Sequence, residues 1–574
     1  MAIQCGYRDT VTLNKAYNDL CHGADTGCRG LFRNPGKASN APSAYEHGPQ
    51  VTDAIADWCF KGFAMGPIHD RDVPPDAKFS GIMSRNKPNG SVRVILNLSA
   101  PKGRSVNDGI TAEDFPALMS STARWLDALW SAGYGCWITK CDWSDAYKHI
   151  AVRAEDLHLQ WFKWLGMNFA ELCLIFGCSS SAGIFDRIAK IVLFIVQRRS
   201  GLPPNQICQH LDDVVACASA GSTQLHAFDA EFTLVAELLG VQLAPRSDPD
   251  KSFAPCKKGV VFGVLYDTEN WVWAIPQDKL CRLLHSLRQA IDAEQIPQEE
   301  IWSIAGKILN VKPLVPNGKF NIYFILKAQS FSSDPKAPVP VSADLKRQLH
   351  FWLSMLQVCS GRASIPRSSL VNPPWAIQVF TDAAGGSSDG TCRGAGAVSP
   401  GWWMQIPWSP AINQGRPTGD GRRLDRVLSA LELVAPLAAL CAAADHCRGL
   451  PVDFWVDNAG SCFIFQKGYS TSCPLSSTLV SALADVAAGL GCQIQIKKIS
   501  RCSTPLASMA DALSKADFSR FWRVAEEFGG FGLPRVPLMV PPSLISWLRQ
   551  PKLDFDLGRR LLLDVSARGP VLGL

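Results

Sequence analysis

Gln209-His210-Leu211-Asp212-Asp213 lies between Ile207-Cys208 and the apolar run Val214-Val215-Ala216. Two short apolar segments joined through a polar pair predict a β-hairpin with paired acids at its tip. Two like charges side by side are costly to bury or half-bury unless a cation lies between them. Mg²⁺ suits that place, because it prefers carboxylate oxygens and substrate phosphates. Taken alone, an Asp-Asp pair is more often a solvated turn, since aspartate favours turns; its neighbours, read together and in order, reverse that. The sequence supplies a third carboxylate upstream, in Lys140-Cys141-Asp142-Trp143-Ser144-Asp145-Ala146-Tyr147. Three such acids would complete a two-metal site for nucleotidyl transfer.

The bulk properties permit this. At 574 residues the chain is long enough for several domains, and 47% hydrophobic with 19% charged residues describes a globular chain. A net charge of +6 is compatible with a nucleic-acid partner but too weak to argue for one. Twenty cysteines fall at irregular spacings with no C-x-x-C, which speaks against a zinc ribbon. Met1 to Tyr7 carries no apolar signal segment. The expectation is an intracellular protein with reduced thiols, cytoplasmic and/or nuclear. The longest apolar runs, Ile191–Val196 and Leu433–Ala444, are too short to span a bilayer.

Five segments follow along the chain. Residues 1-74 are rich in Gly, Asn and Asp and read as an N-terminal extension, partly ordered at best, with one amphipathic helix over Val51 to Phe63. In residues 75-272 a hairpin spans Phe79 to Leu98 around the turn Lys87-Pro88-Asn89-Gly90, and helices alternate with strands. Ile184, Ile188, Ile191 and Ile195 predict a buried helix after a Gly/Ser-rich turn. Residues 273-370 are helical by pattern, with a linker-like stretch from Ser332 to Pro338. A new domain over 371-520 opens with a strand running into Asp382. Residues 521-574 are a Pro-rich tail, helical in patches.

Six segments in order resemble a reverse transcriptase, in wording close to that of DIRS-like (tyrosine-recombinase type) retrotransposons. They are Lys87 to Ile95, Leu98 to Asn107, Asp142 to Tyr147, Phe176 to Phe185, His210 to Asp213, and Lys251-Ser252 with Val261 to Val264. The resemblance implies a right-hand polymerase of fingers, palm and thumb. It implies Asp142 and Asp212 as metal-bridging acids, with Asp213 supporting them. Lys87 and Arg93 would neutralise a triphosphate, or else are solvated charges on a hairpin. Tyr147, five residues after Asp142, stands at the family's steric gate, or is a core aromatic. Gly177 would let the template backbone approach, since it lacks a Cβ. Ser181 would share that role or cap a helix. His210 replaces the family's usual Tyr, which touches primer positioning. Lys251 would protonate pyrophosphate, or is a surface lysine.

Residues 376 to 518 resemble the ribonuclease H domain of the same elements, a mixed α/β fold, so the whole reads as an α+β/α/β multidomain chain. Asp382 and Asp457 end apolar strands. Glu432 is the only charged residue between Arg426 and Asp445, on a helix whose stripe includes Leu428, Leu431 and Ala435. A lone carboxylate there needs a partner, and i+4 is Pro436, which also predicts a kink. Asp511 opens a helix and could instead form a capping box with Ser508. Four carboxylates suit two Mg²⁺ ions (or Mn²⁺) and phosphodiester hydrolysis. The family's Asn and Gly before the last aspartate are replaced by Thr504-Pro505-Leu506-Ala507, and no histidine follows Cys447.

The implied partners are an RNA template, a DNA primer, RNA-DNA hybrid and deoxynucleoside triphosphates. The implied activities are RNA-directed DNA synthesis, a nucleotidyltransferase reaction, and ribonuclease H cleavage. The competing expectation is an inactive or domesticated copy that binds nucleic acid as a scaffold.

Overall fold

The computed structural model describes the chain apart from residues 31–38, 87–91, 367–371, 386–392, 410–411, 413–427, 550–553, 555 and 568–574. It forms two compact units, Met1–Trp273 with Ser364–Ser369, and Ala274–Ala363 with Leu370–Leu574. No helix among the described residues is long and apolar enough to cross a membrane.

The first unit is built on a four-stranded antiparallel sheet. Its strands lie in the order Ile207–His210, Asp213–Ala218, Trp137–Asp142, Phe253–Cys256. The predicted helix runs Ser181–Ser200 and ends at Gly201 in the left-handed conformation, the usual glycine stop. Its Ile184, Phe185 and Ile188 pack with Phe228 and Phe232 of the helix Gln224–Leu238 against Cys141, Val214 and Ala216 of the sheet. The hairpin pairs Gly81–Asn86 with Val92–Asn97. Ile82, Val94 and Leu96 bury against Val51 and Ile55 of the helix Gly48–Phe60. Its predicted turn, Lys87 to Gly90, lies outside the described residues.

The described residues of the segment 1-74 are more ordered than its composition predicts. The helix Thr10–His22 is capped by Asp9, and Asp19 pairs with Arg187 at 2.5 Å. Thr26 bonds the buried Asp156 through both its amide and hydroxyl. Small and polar residues here serve long-range contacts, which local composition does not register.

In the second unit the helices Gln277–Asp292, Gln298–Val311, Tyr323–Gln329 and Ala343–Val358 come first. The stretch read as a linker is tied down. Pro338–Pro340 pairs with Gln295–Pro297, and buried Gln298 accepts from the Ser332 amide at 2.9 Å. A five-stranded mixed sheet follows. Ile377–Ala383 is central, with Gly394–Ser399 and then Trp402–Pro407 antiparallel on one side. Pro451–Val456 and then Gln493–Lys498 lie parallel on the other. The helix Leu428–Ala442 continues on both sides of Pro436. The residues read as a tail also join this core, through Leu544, Trp547, Leu557 and Leu561.

Candidate active sites

The hairpin places its acids as its pattern predicts. Leu211 adopts φ 54 in the turn, Asp213 begins the return strand, and Asp213 stands opposite Asp142 on the neighbouring strand. The Asp142 amide donates to the buried Ser252 hydroxyl at 3.1 Å. The Trp143 amide donates to the Asp212 carbonyl at 3.3 Å. Burial pushes the Asp142 carboxyl up to about 6, with Lys251 opposing and Asp212 and Asp213 adding to the rise. Asp212 is also raised, first by burial and then by Asp213. Like charges sharing a low-dielectric site behave this way when no metal balances them.

Two lysines partly supply that balance. Lys251 Nζ stands 3.7 Å from Asp142 Oδ1, and Lys140 Nζ stands 3.1 Å from Asp213 Oδ1. Lys140 was not singled out in the sequence. A lysine inside the short strand of mostly uncharged residues before Asp142 is the signal that would have found it.

The remaining residues around these acids divide. Arg93 is exposed, lies over the Phe176 ring at 4.9 Å, and its charge opposes the rise at Asp212. Tyr147 is 8% exposed, with ring contacts to Phe176 at 4.8 Å and Phe185 at 5.7 Å. It is a core aromatic, yet its phenol, pushed up to about 12 by burial, also feels Asp212. Gly177 has φ +106, and a Cβ there would lie 2.3 Å from the Leu96 carbonyl oxygen. The chain's own strand therefore requires a glycine at this position. Ser181 does not cap its helix: Ser180 holds the cap position without a side-chain bond, and the buried Ser181 hydroxyl has no partner among the described residues. His210 is exposed, with Nδ1 3.1 Å from the Ser120 carbonyl and its ring 5.5 Å from that of Phe262. Lys87 lies outside the described residues.

The second acid set is tighter. One oxygen each from Asp382, Glu432 and Asp457 lies within 4.8 Å of the others, the one such group of acids, histidines or cysteines among the described residues. Asp382 comes from the central strand, Glu432 from the helix Leu428–Ala442, and Asp457 from the junction between the strand Pro451–Val456 and the helix Ala459–Lys467. That helix is capped by Asn458, which accepts from the Ser461 amide at 3.0 Å.

Electrostatics separate the members. Glu432 is fully buried, and neither of its oxygens makes a well-formed hydrogen bond among the described residues; the Ala383 amide is near enough only to oppose the rise of its carboxyl. Burial, then Asp382 and Asp457, push its carboxyl up to about 9. Asp382 is raised by burial, against which the Ser514 hydroxyl donates to Oδ2 at 2.5 Å. Asp457 Oδ2 accepts from Arg501 Nε at 2.6 Å.

Asp511 stands apart from the three. Lys515 Nζ donates to one of its oxygens at 2.6 Å and Arg520 Nη1 to the other at 2.7 Å. Burial pushes this carboxyl up, but the two cations hold it below the ordinary range. It does not open its helix, which runs Pro505–Ser514 with Thr504 as the cap. Ser508 is inside the helix, so the capping box is absent. Gly396, opposite Asp382 in the sheet, lets this helix approach: a Cβ there would lie 2.4 Å from Leu513 Cβ.

An all-carboxylate set suits a hard divalent cation such as Mg²⁺. Two orphaned oxygens on a fully buried glutamate are the observation that fits Asp382, Glu432 and Asp457 to one, since such a group is otherwise expensive to keep. Asp142, Asp212 and Asp213 offer the same ligand chemistry in a looser set, two of whose members face lysines.

No family profile and no curated protein matches the chain. Among solved structures it is similar to the foamy viral protease-reverse transcriptase in complex with RNA/DNA hybrid. There the identity is 15% over 82% of this chain and 56% of that one, with a TM-score of 0.47. It is similar to the same protein in complex with dsDNA, at 15% identity over 83% of this chain and 88% of that one, TM-score 0.44. A third, the foamy viral protease-reverse transcriptase dRH in complex with ds DNA, shows 14% identity over 84% and 73%, TM-score 0.43.

Proposed function

We propose that this chain is an RNA-directed DNA polymerase that also cleaves the RNA strand of a hybrid, from a retroelement of the DIRS-like kind. Asp142 and Asp212 hold divalent metal for synthesis, with Asp213 as the supporting acid. Fingers and palm occupy residues 75-272, thumb and connection 273-370, and the ribonuclease H-like domain 371-520. Arg93 meets the triphosphate, and Tyr147 crowds a ribose 2′-hydroxyl. Asp382, Glu432 and Asp457 serve hydrolysis, while Asp511 orders Lys515 and Arg520 beside them. Bound Mg²⁺ would activate the attacking oxygen and steady the leaving one at each site.

The observation that carries the proposal is Glu432, fully buried and unpartnered between two further carboxylates. Metal-dependent primer extension on an RNA template, with cleavage of the RNA in the product hybrid, is the test. A second reading has its own support. Lys140, Lys251 and Arg501 already face Asp213, Asp142 and Asp457, as they would in a metal-free scaffold that binds nucleic acid. Loss of both activities in a folded preparation with Mg²⁺ or Mn²⁺ would favour that scaffold.

A further inference from the structure

Lys140 is the least expected residue beside the Asp142 carboxylates. It sits two positions before Asp142 in the strand Trp137–Asp142, between buried Thr139 and buried Cys141, and is itself 6% exposed. A lysine is costly to bury unless it is paired. Lys140 has two partners: Asp213 Oδ1 at 3.1 Å and the Asp250 carbonyl, to which it donates at 2.8 Å. Its backbone is fixed as well. Arg246 Nη1 donates to the Lys140 carbonyl at 3.0 Å, and Arg246 is anchored on Asp229 at 2.5 Å.

The Asp250 contact reaches further. The next two residues are Lys251, which faces Asp142 at 3.7 Å, and Ser252, whose hydroxyl accepts from the Asp142 amide. One buried ammonium thus joins Asp213 to the segment that holds Asp142. The two lysines differ in freedom. The Lys251 side chain is 53% exposed and can follow an incoming phosphate, whereas that of Lys140 is 7% exposed and cannot leave.

We infer that Lys140 is a positioning residue that holds Asp213 back from the metal, leaves Asp142 and Asp212 as its ligands, and sets how tightly a divalent cation binds. The inference rests on the polymerase reading above. A fixed positive charge a few ångströms from a cation site opposes the cation. In exchange it keeps Asp213 and the 250–252 segment in one arrangement.

The test is Mn²⁺ binding, followed by electron paramagnetic resonance on the full chain carrying Glu432→Gln to neutralise the second acid group. Lys140→Met removes the charge while keeping an unbranched apolar stem in the strand. The expected result is on the order of tenfold tighter Mn²⁺ binding, with slower primer extension at saturating metal because Asp213 is no longer held. Unchanged affinity in folded Lys140→Met overturns the inference. Should that variant not fold, Lys140→Arg decides. It keeps the charge and must bind Mn²⁺ within about twofold of the parent; a larger change overturns the inference. Asp142→Asn separates the two readings. If it removes Mn²⁺ binding while Lys140→Met leaves that binding unaltered, only the role of Lys140 falls. If the parent shows no Mn²⁺ binding that Asp142→Asn removes, the polymerase reading falls and this one with it.

Discussion

Arg501 Nε lies 2.6 Å from Asp457 Oδ2, so one carboxylate of the buried group is directly paired with a cation, while its neighbour Glu432 has no ion pair among the described residues and feels Arg501 only at longer range. The Arg501 side chain is 58% exposed, and such a pair contributes little to stability, roughly 0.2–1 kcal/mol. It nevertheless competes with a metal for Asp457. Arg501→Gln is expected to lower the Mg²⁺ concentration that half-saturates RNA cleavage, by roughly two- to fivefold. A metal titration of cleavage checks this, and an unchanged midpoint would show that Arg501 does not compete.

Glu432 sets a pH dependence. Its carboxyl is raised from 4.5 to about 9 in the folded, metal-free chain. Between those values the unfolded chain has released the proton and the folded chain still binds it, so folding stability falls as pH rises through that window. Metal requires the ionised form and releases that proton, so added Mg²⁺ should raise the melting temperature more at pH 8.5 than at pH 6. In Glu432→Gln the metal-free slope attributable to this group should vanish. The variant should be more stable at pH 8 by about 1–2 kcal/mol, since no charge needs to be kept off a buried site. Thermal melts at the two pH values, with and without Mg²⁺, give both numbers.

Tyr147 is both packed and near the acids. Tyr147→Ala should cost about 3 kcal/mol through the cavity left against Phe176 and Phe185, and should raise ribonucleotide incorporation. Tyr147→Phe keeps the ring and should keep both stability and discrimination. The ratio of deoxynucleotide to ribonucleotide incorporation reads this directly. Equal ratios in folded Tyr147→Ala and the parent would make the residue a core aromatic only.

Asp511 is held by Lys515 and Arg520, outside the group that meets within 4.8 Å. Asp511→Asn should therefore slow cleavage less than Asp457→Asn does. Because it leaves two cations without their acid, it should also destabilise the chain by about 1–3 kcal/mol. Cleavage rates and denaturant midpoints of the two variants, measured side by side, test the order.

Much of this site was legible because its signals are local. The Asp212-Asp213 tip, the strand ends at Asp382 and Asp457, and Glu432 alone in an apolar helix each announce themselves within about ten residues. Their partners do not. Arg501 reaches Asp457 from a loop beyond the parallel strand Gln493–Lys498, and Lys140 meets Asp213 only once the two strands pair. Proline content misled twice. Pro338 and Pro340 lie in a two-stranded edge pairing, where a missing amide is tolerated. The Pro-rich C-terminal segment supplies Trp547 and Leu561 to the core. Gly177 has a reason that its local sequence does not show, since a Cβ there would meet the Leu96 carbonyl.

The central claim is that two separate acid sites carry out two reactions. Asp457→Asn tests it most directly, with primer extension on an RNA template and cleavage of RNA in a hybrid measured on one purified, folded preparation containing Mg²⁺. The account predicts that cleavage falls by about a hundredfold or more, because hydrolysis needs a metal-activated water, while extension stays near that of the parent. Unchanged cleavage, or loss of extension together with cleavage in a chain that is still folded, would contradict it.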